Sequence, residues 1–196
     1  MSADWLVVGL GNPGVEFHGT RHNVGADVVG LLATRHGGSL THAKKERSMV
    51  DTVSIASQRA VLAFPQTYMN ESGHAVKLLV KRYDVEDPAR IVVVQDELDL
   101  PHARVRVKAG GGLAGHNGLR SIVNHLKTDE FLRVRIGIGK PPGGKEHGAD
   151  HVLKRPSKAL KTELEIAVQE AADAVEAILA DGVQRAMNRF NSSPAL

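Results

Sequence analysis

The chain has 196 residues, 42% of them hydrophobic and 24% charged, with a formal net charge of +3. That length and balance suit one globular domain and exclude a disordered or fibrous protein. Cysteine is absent, which removes disulfides, thiolate metal sites and a cysteine nucleophile together. No apolar run approaches the roughly 18 residues of a membrane span, and Met1-Ser2-Ala3-Asp4-Trp5 has neither the basic nor the apolar stretch of a secretory signal. A cytoplasmic protein with no membrane association is expected.

Trp5-Leu6-Val7-Val8-Gly9-Leu10 is a short apolar run that ends at a glycine and predicts a buried strand. Val24, Val28, Leu31 and Leu32 have helical spacing, and Gly37-Gly38 end that segment. Val50–Ala56 and Arg59–Phe64 predict two strands joined by a polar turn. Asn70 is placed to cap a helix that turns Ala75, Val76, Leu79 and Tyr83 inward. The β-branched run Ile91–Val94 predicts a central strand, and Arg104–Lys108 an outer one. Leu119, Ile122, Val123 and Leu126 mark a helix, and Arg133–Gly139 alternates with Val134, Ile136 and Ile138 on one face. A last helix carries Leu160, Leu164, Val168, Ala171, Val175 and Ile178 in one stripe, with Ser157 to cap it and Gly182 after it. This order mixes βα alternation with a hairpin. It predicts an α/β fold: a single domain over 1–196, with a twisted mixed β-sheet surrounded by helices.

The charge is unevenly spread. Residues 101–161 hold 13 Lys/Arg against 4 Asp/Glu, a local net of +9, while the rest nets −6. Such a block is either a polyanion-facing surface or a solvated basic face.

Several loops carry residues able to do chemistry. Gly9-Leu10-Gly11-Asn12-Pro13-Gly14 has the glycine spacing of a dinucleotide fingerprint, but no acidic residue follows at residues 30–38, so a tight turn presenting Asn12 is favoured. His22 and Asn23 come next, just before the first helix. Asp96 follows the β-branched run and can orient a histidine brought from the first loop. Asp96, Glu97 and Asp99 can also be read as a turn or as a metal cluster. Residues 110–118 hold five glycines and allow close approach to a ligand, but no G-K-[ST] follows to make a phosphate loop. Asn12, Asn70 and Asn117 each stand at an element boundary, either as caps or as amides facing a site. With no serine elbow and no H-E-x-x-H helix, acyl-transfer chemistry would use water activated by a histidine.

Five segments together resemble the bacterial-type peptidyl-tRNA hydrolase family: Gly9–Asn23, Thr67–Gly73, Asp96–Pro101, Gly110–Leu119 and Arg133–Gly139, in the same order and spacing. The resemblance spans about Leu6 to Asn188. It implies a monomer that hydrolyses the ester between a peptide and the 3′ end of tRNA, releasing tRNA for translation, with no cofactor and no metal. Carried over by position, His22 is the general base and Asp96 its orienting carboxylate. Asn12, Asn70 and Asn117 hold the peptide and the attacking water, and Met69 and His116 line the substrate channel. Lys108 and Arg135 correspond to a basic pair that clamps the tRNA 5′ phosphate. Phe17, counted with the substrate-binding set, stands where the family usually has tyrosine, so any role for that hydroxyl is lost. Ala114 replaces a common glycine, which implies a backbone with no need for positive φ. Lys140 stands where histidine is frequent, and His151 where a lid aromatic is commoner, which puts lid packing in question. A metal-dependent hydrolase and a non-catalytic RNA-binding module are the alternatives.

Overall fold

The computed structural model describes residues 2–192. Seven strands form one sheet in the order β2-β3-β4-β1-β5-β7-β6. They are β1 (Trp5–Gly9), β2 (Thr41–Ala43), β3 (Ser48–Ile55), β4 (Gln58–Pro65), β5 (Ile91–Glu97), β6 (Val105–Ala109) and β7 (Leu132–Gly137). β1 runs parallel to both β4 and β5, and β5 parallel to β7. β2, β3 and β4 form antiparallel pairs, as do β6 and β7. The mixed sheet follows from the sequence: short polar turns make the hairpins, and helical crossovers make the parallel pairs.

Strand alternation divides the core in two. Val7, Val92, Val94 and Val134 face a layer containing α1 (Val24–Arg35), α5 (Lys158–Asp181) and α6 (Val183–Asn191). Leu6, Val8, Val61 and Val93 face α2 (Ser72–Tyr83) and α3 (Asn117–Leu126). On α5, Leu164, Ala171, Val175 and Ile178 are buried, Val168 is half-buried and Leu160 lies at the exposed end of the predicted stripe. Burying aliphatic side chains of this size contributes about 1.5–3 kcal/mol each, so this stripe docks the helix. The Ser157 hydroxyl accepts from the Leu160 N–H at its start. No helix of the described residues is long and apolar enough to cross a membrane.

β6 is an edge strand, and α6 closes it. The Asn191 side chain accepts from the Val107 N–H and donates to the Val107 carbonyl, both at 2.8 Å, as a neighbouring strand would.

Three local expectations change. Asn70 does not cap α2: the chain first makes a 3₁₀ turn at Met69–Glu71, and α2 begins at Ser72 without a side-chain cap. Asn117 is the first residue of α3, and the cap is His116. Ala114 has a φ of 50°, in the left-handed region that its side chain was expected to exclude. Its neighbour Gly115, at φ 72°, continues the same tight loop, so the turn geometry overrides the residue's own preference.

Candidate active site

Two glycines bring the first helix onto the sheet. A Cβ on Gly9 would fall on the Gly25 carbonyl, and one on Gly25 would fall on the Val94 carbonyl. Only without those atoms can the start of α1 sit where β1 and β5 pair. The 3₁₀ turn Arg21–Asn23, just before α1, is thereby set against the end of β5.

Asp96 lies inside β5 rather than in the loop after it, and it is 2% exposed. Two imidazoles bond its two oxygens: His22 Nδ1 lies 2.8 Å from Oδ2, and His116 Nε2 lies 2.9 Å from Oδ1. The rings stand 5.1 Å apart. Burial alone would push the Asp96 carboxyl up. The hydrogen bonds from both histidines, and the positive charge each carries when protonated, outweigh it and hold Asp96 well below the usual carboxylate range. Burial opposes protonation of His22, but the Asp96 charge and hydrogen bond prevail and raise it above the ordinary histidine value.

Hydrogen-bond direction fixes both tautomers. His116 Nδ1 accepts from the backbone N–H groups of Gly118 and Leu119, at 3.1 and 3.3 Å. Its single proton therefore sits on Nε2 and is donated to Asp96. Asp96, ionised and accepting on both sides, takes the Nδ1 proton of His22 as its second donor. That leaves His22 Nε2 as an unprotonated lone pair, and His22 lines both clefts of the site.

One cleft, about 250 Å³, is walled by His22, Asp96, Glu97, Leu98, His116 and Asn117 and by Lys145, Gly148 and Val152 of the segment above. A second, about 260 Å³, continues past His22 over Asn12, Tyr68, Met69, Asn70, Asn117, Val152 and Leu153. Asn12 is held by Asn23, which bonds both its N–H and its carbonyl, at 2.8 and 2.9 Å. The Asn12 Oδ1 accepts from the Met69 N–H at 2.7 Å, so its amide nitrogen is the group left to the groove. The structure therefore gathers His22, Asp96, Asn12, Met69, Asn70, His116 and Asn117. Phe17 is not with them. It is half-buried in the 3₁₀ turn Val15–Phe17 and lines neither cleft.

Lys108 and Arg135 lie apart from this floor, on β6 and β7. The register pairs Lys108 with Arg133 and Arg106 with Arg135, so these cations share one face of the two strands. Arg135 Nη1 lies 3.8 Å from Glu97 Oε1. Lys108 Nζ donates to the Gly112 carbonyl at 3.2 Å. Burial, and then the charges of Arg133 and Arg135, lower the Lys108 ammonium from its usual value.

The segment over the clefts includes the short helix α4 (Gly148–Val152). Lys145 pairs with Asp99 at 2.6 Å, and Arg21 donates to the carbonyls of His151 and Lys154 at 3.2 and 3.3 Å. His151 points its ring at the Ile138 carbonyl, 3.1 Å away, and lines a separate hollow with Pro141, Pro142 and Asp150. It does not supply an aromatic wall to the cleft. Arg21 was not singled out in the sequence: only its position beside His22 marked it, and its partners lie more than a hundred residues away.

The acidic cluster does not converge as a metal site, since Asp99 is taken by Lys145 and Glu97 faces Arg135. Among the described residues, the groups close enough to share an ion are instead His22, Asp96 and His116. The His116 tautomer opposes that use: with Nδ1 accepting two N–H groups, Nε2 carries the proton and offers no lone pair.

Comparison with known proteins gives the family. A peptidyl-tRNA hydrolase family profile matches residues 6–195. The peptidyl-tRNA hydrolase of Renibacterium salmoninarum is 47% identical over 193 residues, covering 97% of this chain and 98% of that protein. That of Frankia alni is 48% identical, covering 96% and 94%. The crystal structure of peptidyl-tRNA hydrolase from Acinetobacter baumannii is 40% identical, with a TM-score of 0.90 and coverage of 98% and 96%. All are likenesses to enzymes, which sets aside a non-catalytic RNA-binding module. The chain belongs to the peptidyl-tRNA hydrolase family, whose members are ester hydrolases.

Proposed function

We propose that this enzyme cleaves the ester of peptidyl-tRNA with a water molecule activated by His22. The water gives a proton to Nε2 as its oxygen attacks the ester carbonyl. Asp96 holds the imidazole in the required tautomer and stabilises the imidazolium that forms. The tetrahedral oxyanion takes hydrogen bonds from neutral amide donors, for which Asn12 and Asn117 are best placed. When the intermediate collapses, the proton on His22 passes to the departing 3′ oxygen. A peptide carboxylic acid and free tRNA leave. No side chain becomes acylated, and the groups named need no metal or cofactor.

The peptide occupies the groove over Met69 and Asn70, where Tyr68 and Leu153 offer exposed apolar surface. The acceptor end reaches the site from the β6–β7 edge, with Lys108 and Arg135 on its 5′ phosphate. In this reading the chain is a single domain over 1–196 that acts as a monomer. A cytoplasmic location follows from the substrate.

The observation that carries this reading is Asp96 bonded on both oxygens, which leaves His22 Nε2 free at the cleft. The test is turnover and binding together. A His22→Ala protein should bind peptidyl-tRNA like the parent and hydrolyse it very slowly. Undiminished hydrolysis, or a peptidyl group trapped covalently on the parent protein, defeats the mechanism.

A further inference from the structure

The glycine-rich loop between β6 and α3 is held by two cations that meet at one atom. Arg133 of β7 is 0% exposed. Its guanidinium lies over the Phe131 ring at 4.6 Å and donates to two backbone carbonyls, Gly112 at 2.6 Å and Asp129 at 3.0 Å. Lys108, directly across the ladder, donates to the same Gly112 carbonyl at 3.2 Å. Gly111 has a φ of 91°, and the end of the Lys108 side chain lies directly over it.

The two holds are unequal. Arg133 is buried and reaches two carbonyls at once. Lys108 is half-exposed, and the Arg133 charge repels it. An anion arriving at the edge would relieve that repulsion and compete with the Gly112 carbonyl for Lys108, and Arg133 would then be the hold left on Gly112. Between there and the site the loop makes one turn: Leu113 packs against the core and its carbonyl accepts from the His116 N–H at 2.9 Å, so a shift at Gly112 is passed directly to His116. Ala114 and Gly115 are both left-handed, and four residues after Gly112 the chain reaches His116, which caps α3 and bonds Asp96.

We infer that Arg133 is a positioning residue for hydrolysis: it anchors Gly112 when Lys108 leaves for the 5′ phosphate, and so keeps His116 and Asn117 in register with His22 while tRNA is bound. This rests on the reading of Lys108 as a phosphate ligand. By linkage, weakening the anchor makes phosphate binding loosen the loop, so the damage depends on the phosphate.

The experiment compares 5′-phosphorylated with 5′-hydroxyl peptidyl-tRNA on the parent, Lys108→Ala and Arg133→Lys, which keeps the charge and loses the two-carbonyl reach. For Arg133→Lys, kcat on the 5′-hydroxyl substrate should stay within about twofold of the parent. On the phosphorylated substrate kcat should fall about tenfold, the scale of one charge-assisted hydrogen bond. Equal loss on both substrates makes Arg133 merely structural and overturns the inference, as does no loss on either. If Arg133→Lys fails to fold, Arg133→Gln, which keeps one donor for Gly112, is read by the same ratio. Lys108→Ala separates the two claims. It should abolish the preference for the phosphorylated substrate, and an intact preference removes the phosphate reading itself, and the inference with it.

Discussion

The floor of the cleft and the β6–β7 edge are both built from ionisable groups, but they are held in opposite ways. At the floor, Asp96 is almost wholly buried and bonded on both oxygens, and each imidazole is restricted to one tautomer. At the edge, Lys108 rests on a backbone carbonyl and Arg135 stands 3.8 Å from a carboxylate, both partners that a phosphate can displace. A group that must transfer a proton gains from being fixed before substrate arrives. A group that must find a long, charged ligand gains from partners it can leave. The contrast predicts that changes at the floor act on kcat and that changes at Lys108 and Arg135, the two cations assigned to the phosphate, act on KM.

The largest effect is expected at His22. Its replacement by alanine should lower kcat by about 10²–10⁴-fold, the usual worth of a positioned general base. Asp96→Asn should lose less, and the double mutant should be little worse than His22→Ala alone, because the two act as one unit. Free-energy losses that simply add would break the pairing. The pH profile sharpens it. In the proposed mechanism neutral His22 is the active form, and Asp96 raises His22 above the ordinary value of about 6.5, so kcat/KM should fall with acid on a limb centred above that value. In Asp96→Asn the limb should move to lower pH, since burial remains and the stabilising charge is gone. Stability carries the same signs. The share from raised His22 is present below its unfolded value and lost as pH rises through its folded value. The share from lowered Asp96 is present above its unfolded value and lost as pH falls through its folded value.

Asn117 comes next. It begins α3, is exposed toward the groove and does not cap the helix. Asn117→Asp should therefore fold with unchanged or slightly higher stability, because an anion suits a helix N-terminus. It should still lower kcat by about 10²–10³-fold if the amide donates to the oxyanion. Near-parent turnover in the folded variant would remove Asn117 from the oxyanion site.

At the edge, Lys108→Ala and Arg135→Ala should each raise KM by about tenfold and reduce the slope of log affinity against log salt by up to about one unit. The value of kcat should barely change. A kcat loss as large as the KM change would show that floor and edge are not separable.

The two regions were also unequally visible in the sequence. Strands β1 and β5 announce themselves as continuous apolar runs, because both of their faces are buried, and the long helix α5 by periodicity, because one face of it is buried. β2, with three residues, and α6, beginning directly after Gly182, bury too few side chains to do so. His22 and Asp96 stood out as a histidine and a carboxylate after two apolar strands. The part played by His116 did not, because its tautomer depends on N–H groups freed only once α3 begins there. Arg133 was equally hidden. Alternation puts it on the same face as Arg135, and only the loop lying across it decides that one is sealed and the other is not. Ala114 misled in the reverse sense: residue type suggested an ordinary backbone, and the turn imposed a left-handed one.

The smallest expected effect is none at all, and it tests the floor most directly. His22, Asp96 and His116 lie close enough together to bind a transition metal. For His116 to do so through Nε2, its proton must move to Nδ1, where two backbone N–H groups already point, so binding would cost the cap of α3. Protein dialysed against a strong chelator, freed of it and assayed with Mg²⁺ present to fold the tRNA should match untreated protein in kcat and KM. Added Zn²⁺ or Mn²⁺ should not raise the rate. Lost activity that Zn²⁺ or Mn²⁺ restores would mean that Nε2 bears a lone pair, and the assignment of both histidine tautomers would fall with it.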